Sequence, residues 1–322
     1  MKFDIRMTSL ASLAFWSAHG AVAQDYPLKA IRCIVPFSAG GGTDTIARLV
    51  GAKVSASVGQ TFVVENRVGA DGRLGTEMAA KAARDGYTIL LVSNLHSISS
   101  SVFSKLPYDP VKDFAGITLA ATTPNMLVVH PSVPARSVGD LVRLARSQPG
   151  KLNFGTSGLA QTGHLSGELL KTVAKISMTH VPFKGTAEAT IAVVGGHVDM
   201  VFGSVATLVP HAKAGTLRAL AITAAQRSAV VPEVRTMIES GFPGFVTMTW
   251  YGYLAPAGTP KAIISKLNTE LVSGLKTADV RERLLAIGLD PSVNAPEEYD
   301  EFIRTEVVRW SKVVKDAGIK LE

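Results

Sequence analysis

The sequence predicts an α/β protein of two lobes, and three features support this. Apolar, β-branched runs such as 31–37 and 87–93 alternate with helical segments over short glycine-rich turns, which is typical of parallel strands joined by helices. The chain has 322 residues, more than one compact core usually holds. The apolar run 117–129 contains Pro124, which is unfavourable in a central strand and indicates a segment that crosses between lobes.

The first 23 residues have the pattern of a secretory signal peptide. Lys2 and Arg6 form a basic start, residues 10–18 are mainly apolar, and Ala21-Val22-Ala23 precedes Gln24 as a cleavage site. We therefore expect export and a soluble mature chain. An amphipathic first helix of the mature fold is the alternative.

Composition argues against several classes of function. The net charge of +7 is dispersed, without a Lys/Arg block or interleaved aromatic residues, so we expect no nucleic-acid partner. Cys33 is the single cysteine, which excludes an intramolecular disulfide and indicates an inert buried thiol. The seven histidines are scattered and no H-E-x-x-H or paired C-x-x-C occurs, so the sequence predicts neither a metal nor a cofactor.

A glycine-rich loop follows the first strand. The run 31–37 leads into Gly40, Gly41 and Gly42, and Thr43 or Asp44 is a candidate cap for a helix over 45–58. Such a unit leaves backbone N–H groups free at a helix N-terminus, where an anion binds, and glycines let a ligand approach the backbone. The P-loop lysine and the G-x-G-x-x-G spacing are both missing. The loop therefore predicts a site for an anion other than a nucleotide, with a carboxylate as the candidate.

Other candidates lie in loops that follow strands. Asp44 either caps its helix, orients a water or receives a ligand ammonium group, and His164 is either a hydrogen-bonding or a structural residue. Lys184 is a counter-charge or a solvated side chain, and Asp199 contacts ligand or aligns a loop. The candidate binding residues are Phe37, Ser38, Ala39, Gly40, Gly41, Gly42, Asp44, Ser93, Asn94, Thr156, Ser157, Gly158, Gln161, Lys184, Gly185 and Asp199.

Catalysis is not predicted. The run Gly155-Thr156-Ser157-Gly158 is one residue short of a G-x-S-x-G nucleophile elbow, and no spacing singles out a triad.

Trp250 and Tyr251 are candidates for a wall of the cleft or for simple packing.

Seven segments, in order, resemble one family. The chain is similar to the periplasmic solute-binding proteins of tripartite tricarboxylate transporters, the Bug (Bordetella uptake gene) family. The matching segments are 26–32 with 35–44, Val64-Glu-Asn-Arg67 with Gly72 and Gly75, Asp85-Gly-Tyr-Thr88, His180-Val-Pro-Phe-Lys-Gly185, Gly195-Gly-His-Val-Asp199, Leu217-Arg-Ala-Leu-Ala221, and Trp250-Tyr-Gly252 with 255–260.

The resemblance implies a type II periplasmic binding protein, a two-lobed "Venus flytrap" with mostly parallel central sheets. Its two crossings would lie at 117–129 and 217–223, so that 24–120 and 224–322 form lobe 1 and 121–223 form lobe 2. A small organic carboxylate would bind in the cleft without chemical change. The loop 37–44 would hold it, often through waters, opposite the loops 156–161 and 184–185.

The resemblance also implies a periplasmic location and, as partners, the membrane subunits of a transporter; we expect the receptor itself to be a monomer. A binding protein that presents its ligand to a membrane sensor kinase is the alternative, and an α/β enzyme acting on a small acid is a third possibility. The sequence leaves open which carboxylate is bound.

Overall fold

Strands and helices alternate through residues 26–228 and 230–319, the part of the chain that the computed structural model describes. The predicted signal peptide lies outside these residues. The strands are β1 (Ile31–Val35), β2 (Phe62–Asn66), β3 (Thr88–Ser93), β4 (Phe114–Val129), β5 (Asn153–Thr156), β6 (Thr179–Pro182), β7 (Met200–Ser204), β8 (Arg218–Ile222), β9 (Met248–Pro256) and β10 (Asp290–Pro291). The helices are α1 (Gly42–Val58), α2 (Arg73–Ala80), α3 (Leu95–Val102), α4 (Val138–Ser147), α5 (Thr162–Ala174), α6 (Thr186–Val194), α7 (Val205–Lys213), α8 (Lys261–Lys276), α9 (Ala278–Ala286) and α10 (Pro296–Ala317).

Strand β4 runs through both halves of the molecule. The strand order is β2-β1-β3-β9-β4-β7-β5-β6, with β8 and β10 also paired to β4. Residues up to Pro124 pair with β9, and residues from Asn125 onward pair with β7 and β8. Pro124 thus lies where the strand changes partners, a position that tolerates a missing N–H better than the middle of a ladder. This confirms the predicted crossing near Pro124.

The two half-sheets are mixed, whereas the sequence predicted mostly parallel strands. Strand β1 is parallel to β2 and β3, and β5 is parallel to β6 and β7, as the strand–helix alternation predicted. Strand β9, which was not predicted, runs antiparallel to both β3 and β4, and β4 is antiparallel to β7 and β8. The crossing strands therefore add antiparallel pairs to two parallel units.

Each half-sheet has its own core. In the first lobe, α1 and α8 cover β1 and β3 with residues such as Ile46 and Leu267. In the second lobe, Phe154 of β5 and Phe202 of β7 pack with Phe245 from the connection between β8 and β9. Helix α10 packs on α3 and β4 and also contacts α5, so it bridges the two lobes.

Candidate functional site

A cavity of about 430 Å³ lies where the two half-sheets meet. It is lined by Gly40, Gly42, Thr45, Thr123, Asn125, Ser157, Gln161, Thr162, Gly163, Thr186, Ser204, Thr249, Tyr251, Ile287 and Leu289. All of these residues are uncharged, and most offer hydroxyl, amide or backbone N–H groups. The lining therefore suits a ligand that accepts many hydrogen bonds.

Four helices begin at this cavity. Gly42 opens α1, Thr162 opens α5 and Thr186 opens α6, while Ser204 precedes the first residue of α7. The first turn of a helix has unpaired N–H groups and carries a partial positive charge. Four such turns make the cavity favourable for an anion although its walls contain no cationic side chain.

Asp44 organises the first-lobe loop, which we define as residues 36–42. Its carboxylate is buried and accepts hydrogen bonds from the Gly40 N–H at 2.9 Å, the Arg48 Nε at 3.0 Å and the Asn66 Nδ2 at 3.0 Å. Burial alone would raise the pKa of Asp44, but the bonds from Arg48, Gly40 and Asn66 bring it below its usual range.

This arrangement corrects two expectations for Asp44. Helix α1 begins at Gly42 rather than Thr45, with Gly41 at the N-cap position, so Asp44 lies in the first turn and does not cap it. The carboxylate is fully paired within the protein and is not placed to receive a ligand ammonium group. The Gly40 amide is likewise used by Asp44, whereas the N–H groups of Gly41 and Gly42 have no acceptor in the described part of the chain.

Gly42 lies in close contact with Tyr251. A Cβ at Gly42 would lie 2.9 Å from the Tyr251 hydroxyl oxygen. Burial raises the pKa of Tyr251 to about 12, so its hydroxyl stays protonated at neutral pH and is available as a donor at the cavity wall. The neighbouring Trp250 instead points into the core, where its Nε1 donates to Glu306 at 3.1 Å.

A pair of histidines holds the second-lobe loop, which we define as residues 157–161. The rings of His164 and His180 stack with their centroids 3.8 Å apart. The Ala160 N–H donates to His164 Nδ1 at 3.0 Å, and His180 Nε2 lies 2.6 Å from Thr156 Oγ1. His164 is therefore a structural residue of this loop, and the Thr156 hydroxyl is already engaged.

Both histidines are neutral at physiological pH. Burial, His180 and Lys171 lower the pKa of His164 to about 3, and burial and Lys171 lower that of His180 to about 4. The second-lobe loop therefore reaches the cavity, through Ser157 and Gln161, without bringing a charge there.

Asn125 is the lining residue with an unmet hydrogen-bonding need. Its side chain is only 6% exposed, and its Nδ2 has no hydrogen-bond partner among the described residues. The backbone of Asn125 is fixed by Thr223, whose hydroxyl accepts from the Asn125 N–H at 2.9 Å. A buried amide without an acceptor is unfavourable, so Asn125 is a lining residue whose hydrogen bonding is left incomplete by the described part of the chain.

Asn94 joins the lobes instead of lining the cavity. Its Nδ2 donates to Thr162 Oγ1 at 2.7 Å, and that hydroxyl lies 3.0 Å from Thr249 Oγ1. Ser93, at the end of β3, pairs with Tyr251 of β9. Strands β1 and β3 are parallel, so both end at the same edge of the sheet, but the Asn94 side chain is used to connect β3 with α5.

The other predicted residues fall into two groups. Gly40, Gly42, Ser157 and Gln161 line the cavity. Outside its lining, Phe37 packs on the first-lobe core and on a cluster that joins α3, α5 and α10. Ser38, Ala39, Gly41 and Lys184 are exposed, Thr156 is buried, Gly158 is half-buried, and Gly185 precedes α6. The Asp199 carboxylate accepts from the Asn153 N–H at 2.7 Å, at the amino end of β5, so it aligns strands at the edge opposite the cavity.

Several lining residues were missed. Thr123 and Asn125 flank Pro124 within a mainly apolar run, and these polar residues at its centre could have indicated a site. Thr249 pairs with Thr123 across β9 and β4, a long-range contact that local pattern does not indicate. In the described residues, no group of three or more metal-ligating side chains is found, and no helix is long and apolar enough to cross a membrane.

Residues 46–319 match the family model described as the tripartite tricarboxylate transporter family receptor, TctC. The chain belongs to this family. The match confirms the resemblance drawn from the sequence segments, and the family consists of solute-binding receptors.

Three similar proteins have informative names. The Protein BugT of Bordetella pertussis is 36% identical over 304 residues, covering 93% of each chain. A solved structure from R. palustris with adipate is 37% identical, covers 92% of this chain and all of its own, and has a TM-score of 0.78. MatC from Rhodopseudomonas palustris with bound malate is 35% identical, covers 90% of this chain and all of its own, and has a TM-score of 0.74.

Proposed function

We propose that this receptor captures a small organic carboxylate in the cavity between its lobes, in the periplasm, and delivers it to the membrane subunits of a transporter. Family membership supports the receptor role, and the adipate and malate of the similar structures support the ligand class. The observation that carries the proposal is the buried, unpartnered Asn125 amide in a neutral cavity where four helices begin.

Uncharged hydrogen-bond donors suit a receptor that must release its ligand. Each helix N-terminus stabilises an anion by about 0.3–1 kcal/mol, and a hydrogen bond to a charged group contributes about 1.5–3 kcal/mol. A carboxylate held by the Gly42 amide, the Asn125 side chain and the Tyr251 hydroxyl, all in the lining of the cavity, would be bound without a buried counter-charge. Its release would then leave no unpaired charge in the protein.

We also propose that the ligand is bound without chemical change, which the lining supports. The lining contains no acid, histidine, cysteine or lysine that could act as a base or nucleophile. A carboxylate recovered unchanged after incubation supports this proposal, whereas turnover would favour an enzyme acting on a small acid.

We propose that the second lobe extends from about 121 to about 247, instead of ending at 223. Val231 and Val234 pack in one core of that lobe, and Met237 and Phe245 pack in the other. The chain would then return to the first lobe where β9 begins.

The test is a thermal-shift and calorimetric titration with malate, adipate and other dicarboxylates. Ligand at 100 times its Kd adds about 2.7 kcal/mol to the free energy of unfolding. The isosteric variant Asn125→Asp should lose binding, because it replaces the donor with a second anion in the cavity.

The matched control is Gln148→Glu, which adds the same charge at an exposed position at the end of α4. It should bind like the wild type. Equal affinity of Asn125→Asp and the wild type would contradict the assignment of the cavity, and a wild type that binds no carboxylate would contradict the proposed ligand class.

A further inference from the structure

A short loop of the first lobe closes one side of the cavity. We define the closing loop as Ile287, Gly288 and Leu289, which connects α9 to β10. Ile287 and Leu289 both line the cavity. Leu289 is anchored in the first-lobe core together with Leu284 of α9, whereas the Ile287 side chain is 44% exposed.

Gly288 lies directly against the second lobe. A Cβ at this position would lie 2.2 Å from the Cβ of Ala206 and 3.2 Å from its Cα. Ala206 is the second residue of α7, which packs on β4, β7 and β8. Because the Cα of Ala206 is backbone, no rotation of a side chain would relieve this contact.

The contact joins an element of the first lobe to one of the second. Helix α9 packs on α8 and α1 of the first lobe, whereas α7 belongs to the core of the second. Ser204, immediately before α7, also lines the cavity, so the contact lies beside the space that a ligand would fill. Gly288 therefore sets how closely the two lobes approach at this side of the cavity.

We propose that Gly288 is a positioning residue for ligand capture: the absent side chain lets the closing loop seat against Ala206, so that Ile287 and Leu289 cover the bound molecule. The inference rests on the proposed carboxylate-binding function for its affinity readout. Its effect on lobe closure is measurable without any ligand.

The variant Gly288→Ala tests this, and the chain offers a matched control. Gly288 has φ +73° after α9, and Gly59 has φ +68° at the end of α1, where a Cβ would meet nothing within 4 Å. Alanine is equally strained at both positions, so the two variants should show a similar fall of a few degrees in the Tm of the ligand-free protein.

Only Gly288→Ala should change closure and binding. Overpacking of this kind corresponds to a change of about tenfold or more in an equilibrium constant, so we expect its affinity for malate or adipate to fall at least tenfold. Gly59→Ala should stay within twofold of the wild type. Small-angle scattering of ligand-free protein should give a larger radius of gyration for Gly288→Ala than for Gly59→Ala.

A second variant changes the residue on the other side of this contact, in the second lobe. Ala206→Val enlarges the partner side chain and should reproduce both effects without a strained glycine position. Equal radii of gyration for the Gly288→Ala, Ala206→Val and Gly59→Ala proteins would overturn the inference, whether or not a ligand is found. A wild type that binds neither acid, with an enlarged Gly288→Ala protein, would contradict the proposed ligand class and leave the positioning role supported.

Discussion

The two loops that face each other across the cavity are held by different chemistry. The first-lobe loop depends on a charged network, in which the Asp44 carboxylate is paired with Arg48 and bonded to Asn66. The second-lobe loop depends on a neutral network, in which His164 and His180 stack and accept or share hydrogen bonds with Ala160 and Thr156. Both loops border the cavity, but their stability should respond differently to a change of pH and to the removal of a charge.

The difference suits an anion site. A carboxylate near an anionic ligand would repel it, but the Arg48 guanidinium compensates the charge of Asp44, which is bonded to Asn66 of β2 and is not itself a lining residue. Stacked neutral imidazoles add no charge at all. Both solutions leave the helix N-termini as the main electrostatic feature of the cavity.

The largest expected effect is a loss of stability in mild acid that originates in the histidine pair. The folded-state pKa values of about 3 and about 4 lie below the ordinary value of 6.5. Stability is therefore complete above pH 6.5 and falls as pH drops towards 4, because the unfolded chain then binds protons that the folded protein excludes. We expect each histidine of the pair to contribute a loss of up to about 2 kcal/mol between pH 6.5 and 4.5, and the half-buried His180 to contribute less than His164. Chemical denaturation measures this loss.

His96 makes a double variant necessary as a control. Burial also lowers the pKa of this first-lobe histidine to about 4, so it adds a loss of the same sign. A protein with His164→Asn and His180→Asn should retain the His96 contribution and lose the rest of the slope. If its stability falls as steeply as that of the wild type over this range, the pair does not provide the pH response.

A smaller effect is expected when the first-lobe loop loses its charge. In Asp44→Asn the neutral amide no longer pairs with Arg48, and a buried charge-assisted network typically contributes about 1–3 kcal/mol. Affinity for a carboxylate should also fall, because the Gly40 turn that precedes α1 is no longer fixed. Denaturation and calorimetry at pH 7 measure the two effects.

The control for this variant is an exposed ion pair. Glu301 is 69% exposed in its pair with Arg304, so Glu301→Gln should change the free energy of unfolding by less than about 1 kcal/mol. An Asp44→Asn protein as stable as Glu301→Gln would show that the charge does not hold the first-lobe loop.

Local features of the fold could be read from the sequence, and long-range ones could not. Helix α6 begins at Thr186 and ends at Val194, and the glycines at its ends, Gly185 and Gly195, are local signals that can be read from the sequence. The glycine-rich turn before α1 was also predicted, since its signal lies within a few residues.

Which residues meet across the cavity depends instead on which strands pair with each other. Asn125 and Thr249 come together because β4 pairs first with β9 and then with β7, and no local pattern indicates that register. The role of Asp44 was misjudged for the same reason: Asn66, its partner, is 22 residues away. The closing loop was missed because α9 and the turn after it carry no feature of a binding site.

The smallest expected effect concerns Lys184, the one cationic candidate in the predicted site. Its side chain is exposed and lies outside the cavity lining, and its backbone N–H donates to Glu188 at 2.9 Å. Lys184→Ala should therefore keep its affinity within about twofold, since an exposed charge is largely screened by salt. Gln161→Ala, which removes a neutral side chain from the lining, should weaken binding more in the same titration. A larger loss from Lys184→Ala than from Gln161→Ala would mean that a cation, and not the helix N-termini, attracts the ligand to the second lobe.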